Sequence, residues 1–413
     1  MNYAEFTTRL FEQNQFAIKY DLEAMREAVA LLGLPTLANT VVLIGGTNGK
    51  GSVACLLHAA CLAAGLRTGL YTSPHLVDFR ERVRVDGIPI SEADCASLGG
   101  ELFRRFSGRD SPVEGLRALS FFEITTLLAF TKFACSDLDV LILEVGMGGR
   151  LDATNVVEPD ISVLTSVSLD HQQYLGDTVA LIAREKAAIA RNGKPCVLHR
   201  SSGGFEVLHA AIAEFDPQIQ IVDGGDDAPG WNRALASRTF EMIATRHGIR
   251  EEACASLLLS GFGRARWPAR RHVTVNGGTT WFIDGAHNEA SIADIAPWFR
   301  DVAGRVGRLP AVVGVSPGRD IGVVFRPLAD CFAEVHVVPA SAQRSVDPID
   351  VVAGLEQAGW KGPFFCHSSA SDAVRTLGVC ANVACVGSLY LAGSVLQALG
   401  HTPESLSVYS HVE

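Results

Sequence analysis

Apolar and polar positions fall in blocks along this chain rather than in strict alternation. TVVLIGG (40–46) is apolar almost throughout and predicts a buried strand. SVACLLHAACLAAG (52–65) predicts the helix that follows it. LDVLILEVG (138–146) and ISVLTSVSLDH (161–171) read as further strands. TVALIAREKAAIARNG (178–193) reads as an amphipathic helix closed by Gly193, and KPCVLH (194–199) as another strand. Continuous apolar strands separated by helices are the pattern of a parallel sheet covered on both faces. A second series starts near residue 271. TWFIDGAHN (280–288) gives strand and turn, and EASIADIAPWFRDVAGRVG (289–307) a helix. PAVVGV (310–315), EVHVVPA (334–340), PFFCH (363–367) and VACVGSLYLAG (383–393) continue it. Two α/β domains of unequal size are expected, 1–268 and 269–413, parting at the basic run RARWPARRH (264–272). Gly203–Gly204 and DGGDDAPG (223–230) read as loops.

Composition narrows the class. With 413 residues, 48% hydrophobic and 19% charged, the chain is neither disordered nor fibrous. A net charge of −10 argues against nucleic acid as a partner, because phosphate backbones want a basic surface. It leaves room for a local pocket for a small anion. No pair among the ten cysteines has C-x-x-C spacing, so buried free thiols are expected rather than a zinc ribbon. The charged N-terminus does not read as a signal peptide, and no apolar run is long enough to span a bilayer. A cytoplasmic protein without membrane partners is expected.

The strongest local motif is GGTNGKGS (45–52), between a strand and a helix. Glycines let backbone N–H groups approach phosphates, and the helix N-terminus adds positive potential. Gly46, Thr47, Asn48, Gly49, Lys50, Gly51 and Ser52 therefore form the candidate nucleotide loop, with Lys50 reaching the β/γ-phosphates. The strict P-loop pattern is broken at Ile44 and Gly51, which leaves Ser52 as the nearest hydroxyl. An ordinary glycine-rich turn is the plainer alternative. Glu144 closes the strand VLILE, where a carboxylate beside such a loop can hold Mg²⁺. His171, at the end of a third strand, is a further ligand candidate. Lys186 alone reads as a surface lysine pairing with Glu185 or a neighbour. In TSPHLVDFRERVRVDG (72–87), Arg80, Arg82 and Arg84 read either as a charged edge strand or as part of a flexible loop whose Ser73 oxygen reaches the metal.

GTNGKGS, LYTSPHL, ERVRVDG, FFEITT, LEVGMGGRLDATN, LDH, YLGDT, IAREKAAI, DGAHN and GSLYLAG occur in one order over nearly the whole chain. In that order they resemble the dihydrofolate synthase/folylpolyglutamate synthase family of Mur-ligase-like amide ligases. The resemblance implies a P-loop-containing, mostly parallel sheet domain plus a smaller Rossmann-like α/β C-terminal domain, with ATP lying between them. It implies a monomer joining L-glutamate to 7,8-dihydropteroate, and also to reduced folates, through an acyl phosphate. The same chemistry on a non-folate carboxylic acid is the alternative. ATP and two Mg²⁺ ions are the implied cofactors. Ser52, Ser73, Glu144 and His171 match metal positions, and Lys186 the lysine that becomes N-carboxylated. Asn232, Arg270 and Asp284 match nucleotide positions, and His287 neighbours the phosphates. Lys50, Lys186, His171 and His287 would carry catalysis. Lys19, Tyr20, Asp21, Arg82, Ser120, Phe121, Phe122, Glu123, Leu151, Asp152 and Ala153 would line the pterin side. The chain departs from the family pattern at Ala269, where glycine is usual, at SPGRD (316–320), at Gln172–Gln173 and in a short 194–232 stretch.

Overall fold

The computed structural model describes residues 1–12, 21–34, 36–106, 117–340 and 345–410; Lys19 and Tyr20 lie outside them. The chain divides into two compact units at Arg266/Trp267, with two crossings. His75–Asp78 belongs to the second unit, and residues 407–410 return to the first.

Among the described residues, eight strands form the first unit's sheet: β1 (Thr40–Gly45), β2 (Thr68–Tyr71), β3 (Val83–Val85), β4 (Ile88–Pro89), β5 (Val140–Glu144), β6 (Ile161–Leu164), β7 (Pro195–His199) and β8 (Gln218–Val222). Their order is β4-β3-β2-β5-β1-β6-β7-β8; only the β2–β3 and β3–β4 pairings are antiparallel. β1 lies between β5 and β6, so the chain runs to opposite sides of it. That is the topological switch point at which α/β sheets bind ligands, beyond the C-terminal strand ends. The register Ile44↔Glu144 and Gly45↔Leu164 puts the glycine loop, Glu144 and the segment after β6 on one edge.

Local chemistry explains the helices. Helix Phe121–Ala134 is apolar on every side and correspondingly buried. It starts at a capping box in which Ser120 and Glu123 satisfy each other's backbone N–H. Its own Phe130 and Phe133 join Phe6, Phe103 and Phe106 in the core. Helices Ala228–Arg246 and Glu251–Arg264 pack on helix Lys50–Ala63.

The second unit has six strands among the described residues: β9 (His272–Asn276), β10 (Thr279–Asp284), β11 (Leu309–Val313), β12 (Phe332–Val337), β13 (Phe364–Cys366) and β14 (Asn382–Val386), ordered β13-β12-β11-β14-β10-β9. Only β9 runs antiparallel. Phe299, Phe325 and Phe332 pack one face, and Trp281 with Leu391 and Val395 the other. Leu76 and Val77, brought in from far upstream, pack in this second cluster.

Four expectations need correction. The strand expected over 161–171 stops at Leu164; beyond it the Thr165 and Ser166 hydroxyls and the Ser168 amide bond the glycine loop. VACVGSLYLAG is a strand ending at Val386, then a turn at Gly387 (φ 120°), then helix Leu389–Ala398 capped by Ser388. In DGGDDAPG the helix begins at Ala228, capped by Asp227 with Pro229 in its first turn. The basic strand is not an edge. β3 pairs on both sides, Phe79–Arg82 is a 3₁₀ turn, and Arg82 and Arg84 are buried. Among the described residues no helix is long and apolar enough to cross a membrane.

Candidate nucleotide and metal site

The glycine loop is held from one side. Thr47 N donates to Ser166 O (2.8 Å) and Asn48 N to Ser166 Oγ (3.2 Å). Thr165 Oγ1 donates to Asn48 O (2.6 Å), and Ser168 N to Thr47 Oγ1 (3.2 Å). The Thr47 and Asn48 amides are therefore engaged within the protein. The donors left for an anion are the first-turn amides of helix Lys50–Ala63, Lys50 to Ser52, which have no intrahelical partner. Gly49 enters that helix at φ 92°, and a Cβ there would stand 2.6 Å from Asn232 Oδ1. The position thus demands glycine on two counts, and Asn232 is placed against the loop.

Two lysines converge on one carbonyl. Lys50 Nζ donates to Gly46 O (3.1 Å) and Thr47 O (3.1 Å); Lys186 Nζ donates to the same Gly46 O at 2.8 Å. Lys186 is 4% exposed, which overturns the surface-lysine reading. Its neighbour Glu185 pairs instead with Arg150 (2.9 Å). Burial, then the Lys50 charge, brings Lys186 down to about 7 against the pull of Asp170 and Asp152. A lysine there carries a large share of neutral, nucleophilic amine at neutral pH.

Glu144 is buried at the end of β5 and accepts Ser73 N at 3.1 Å. The contact of Ser73 to Glu144 is thus made by its main-chain amide. His171 stands in the left-handed region (φ 50°, ψ 36°), with its side chain 42% exposed. Among the described residues no three His, Cys, Asp or Glu side chains form a ready-made metal cluster. Mg²⁺ does not require one, since it binds through one or two carboxylates and keeps waters. The residues fit such an ion beside a nucleotide. The cradle admits no side chain at Gly49, and the buried Ser168 Oγ beside it has no partner.

The residues expected on the pterin side that are described group around helix Phe121–Ala134. Arg117 grips Glu123 with two nitrogens (2.7 and 3.0 Å) and reaches Asp21 at 3.4 Å. Arg117 was not legible as a site residue, since a lone arginine after a polar stretch carries no motif. Arg82 Cζ lies 5.3 Å over the Phe121 ring, and Phe122 lies against Gly146. Asp152 is buried. It accepts Met147 N (2.9 Å), Thr154 N (3.0 Å) and Thr154 Oγ1 (2.6 Å), and so shapes the loop holding Leu151 and Ala153. Burial raises its pKa. An open cavity of about 720 Å³ is lined by Asp21, Leu22, Glu23, Arg26, Glu27, Ala30 and Leu151.

In the second unit, buried Asp284 accepts Arg271 N (2.7 Å) and Ala286 N (2.8 Å), with Arg270 Nη1 3.8 Å away. Burial raises its pKa, against Arg270. His287 Nδ1 faces Gly285 O at 2.8 Å, just before Asn288, which caps helix Glu289–Val306. Ala269 is buried at φ 58°, in the left-handed region that favours glycine. Relief of that strain, about 1–2 kcal/mol, is offset by the lost methyl burial and the extra unfolded-state freedom of glycine. Ala269→Gly should therefore leave the unfolding free energy within about 1 kcal/mol of the parent. Ala269→Val should cost roughly 2 kcal/mol or more. Urea titration of both variants checks this, and a tolerated valine would contradict it.

A glycine loop at the switch point of a mostly parallel sheet, leading into a helix N-terminus and with two lysines on one loop carbonyl, defines a phosphate-loop nucleotide-binding protein. Sequence comparison narrows the class. The chain is 31% identical over 316 residues to the dihydrofolate synthase/folylpolyglutamate synthase of Bacillus subtilis, covering 68% of this chain and 72% of that protein. It therefore belongs to the dihydrofolate synthase/folylpolyglutamate synthase family. It is also 33% identical over 377 residues to a probable bifunctional folylpolyglutamate synthase/dihydropteroate synthase of Haloferax volcanii. That match covers 84% of this chain but spans only 44% of the relative's length. No family model matches the chain. Among solved structures, a Yersinia pestis bifunctional folylpolyglutamate synthase/dihydrofolate synthase complexed with AMPPNP and a Mn ion superposes with TM-score 0.81 at 28% identity. That likeness covers 97% of this chain and 98% of that one.

Proposed function

We propose that this chain is a monomeric ATP-dependent ligase that joins L-glutamate to 7,8-dihydropteroate and extends reduced folates. The observation that carries the reading is the convergence of Lys50 and Lys186 on Gly46 O, at the sheet edge that also holds Glu144. A carboxylate is a poor acyl donor. Its oxygen attacks the γ-phosphorus of ATP, ADP leaves, and an acyl phosphate forms. The glutamate amine then attacks the acyl carbon, phosphate departs, and the amine gives up a proton. Catalysis is positioning and charge neutralisation.

Lys50 leaves its resting carbonyls for the phosphates, which the first-turn amides of its helix also meet. Asn232 holds the loop from the flank. Two Mg²⁺ ions, held by Ser52, Ser73, Glu144, His171 and N-carboxylated Lys186, would supply the charge that neutralises the transferred phosphoryl group. Arg270, Asp284 and His287 are assigned to the nucleotide side. Asp21, Arg82, Ser120, Phe121, Phe122, Glu123, Leu151, Asp152 and Ala153 are assigned to the pterin side, where the cavity bordered by Asp21 and Leu151 supports the assignment.

Phosphate release is the direct test, with ATP, Mg²⁺ and L-glutamate present and one acceptor offered at a time. Turnover is expected with 7,8-dihydropteroate and with tetrahydrofolate. If both leave the folded protein at background while another carboxylic acid supports release, the folate assignment is wrong.

A further inference from the structure

Asp170 is a buried carboxylate for which the mechanism above has no use. It is 6% exposed and directly precedes His171. Its Oδ1 accepts the His171 backbone N–H at 2.8 Å and lies 3.8 Å from His171 Nε2. His171 sits at φ 50°, a left-handed conformation that non-glycine residues rarely adopt and that its surroundings must hold. Two backbone bonds, Tyr174 N (2.8 Å) and Leu175 N (3.0 Å) to His171 O, hold the far side of the turn; Asp170 holds the near side. A buried anion thus stands beside the imidazole of the metal set.

We propose that Asp170 is a positioning residue for the divalent cation. It fixes the strained His171 turn and adds negative charge that draws the ion to Glu144 and His171. The inference rests on the metal-site reading above. Outer carboxylates that orient a ligating histidine change metal affinity by roughly 10–100-fold.

The test separates charge from shape. Asp170→Asn keeps an oxygen for the His171 N–H and removes only the charge; Asp170→Ala removes both. Mn²⁺ is titrated into the full chain with ADP present, followed by electron paramagnetic resonance, with no turnover required. Asp170→Asn should weaken Mn²⁺ at least about tenfold while its melting temperature stays with the parent. Asp170→Ala should bind no more tightly and melt lower. Glu144→Gln is the control. If the parent binds Mn²⁺ and Glu144→Gln does not, but Asp170→Asn matches the parent, the role of Asp170 is refuted and the metal site stands. If parent and Glu144→Gln bind alike, the metal-site reading itself fails.

Discussion

Replacing Lys186 with methionine should make the protein more stable and catalytically dead. Methionine matches the lysine stem in volume and removes the charge. The lysine is fully enclosed, and burial with the adjacent Lys50 lowers it from 10.5 to about 7. The unfolded chain therefore holds a proton between pH 7 and 10.5 that the folded chain does not. Folding stability is lost as pH falls from 10.5 to 7, at about 1.4 kcal/mol per unit. At neutral pH the burden is up to roughly 5 kcal/mol. Losing the bond to Gly46 O and leaving Asp170 and Asp152 without this cation return part of that. A net gain of roughly 1–3 kcal/mol is expected at pH 7, shrinking toward pH 10.5. Turnover should drop by about 10³-fold or more, the scale of removing a group that meets developing phosphoryl charge. The parent enzyme should speed up as pH rises through about 7, where the neutral amine can add CO₂, and should slow in CO₂-free buffer. A variant as active as the parent, or a less stable one, would show that Lys186 is an ordinary structural lysine. Activity lost for the sake of stability is the trade-off expected of a residue kept for function.

The fold was legible where one kind of residue filled an element. β1, β5 and β7 are continuous apolar runs, and their positions follow from the sequence to within a residue or two. The glycine loop was equally plain, because only a glycine fits φ 92° against Asn232. Elements whose residues serve two ends were not legible. Thr165 and Ser166 follow an apolar strand and look like its continuation, yet they are polar because they hold Asn48. Arg82 and Arg84 look like solvent-facing charge on an edge, yet both are buried, Arg82 over the Phe121 ring and Arg84 donating to Gly87 O. Lys186 shows the limit most clearly. Its neighbours in sequence give an amphipathic surface helix, and only the loop 140 residues upstream, at Gly46, makes it a buried amine. The family resemblance supplied that assignment; helical periodicity could not. Asp170 was missed for the converse reason, since it stands in the same LDH motif as His171 and was overshadowed by the histidine. The crossing of His75–Asp78 into the second unit depends on where Leu76 and Val77 find apolar partners, which no local pattern encodes.

Replacing His58 with leucine should remove roughly 3 kcal/mol of the destabilisation that the parent suffers between pH 6.5 and 4.5. His58 lies on helix Lys50–Ala63, fully buried, and neither ring nitrogen has a hydrogen-bond partner. The Asp86–Gly87 turn lies against it, since a Cβ on Gly87 would stand 3.7 Å from Nε2. Burial, and secondly the Arg84 charge, lowers its pKa from 6.5 to about 3. Below pH 6.5 the unfolded chain takes up a proton that the folded chain refuses until about pH 3. Stability therefore falls with pH across that window, by about 1.4 kcal/mol per unit and roughly 3 kcal/mol by pH 4.5. Leucine has a similar volume and suits the apolar sheath of the helix, so it should pack without strain. It also removes two buried polar atoms that cost roughly 1–3 kcal/mol each when unpaired. The variant should gain about 1–3 kcal/mol at pH 7 and appreciably more at pH 4.5, which urea unfolding at both pH values measures. Equal acid limbs in parent and variant would mean that His58 is not the group that titrates. The gain should leave turnover at neutral pH unchanged, because His58 lies on the buried body of the helix, beyond the first turn that carries Lys50 and Ser52.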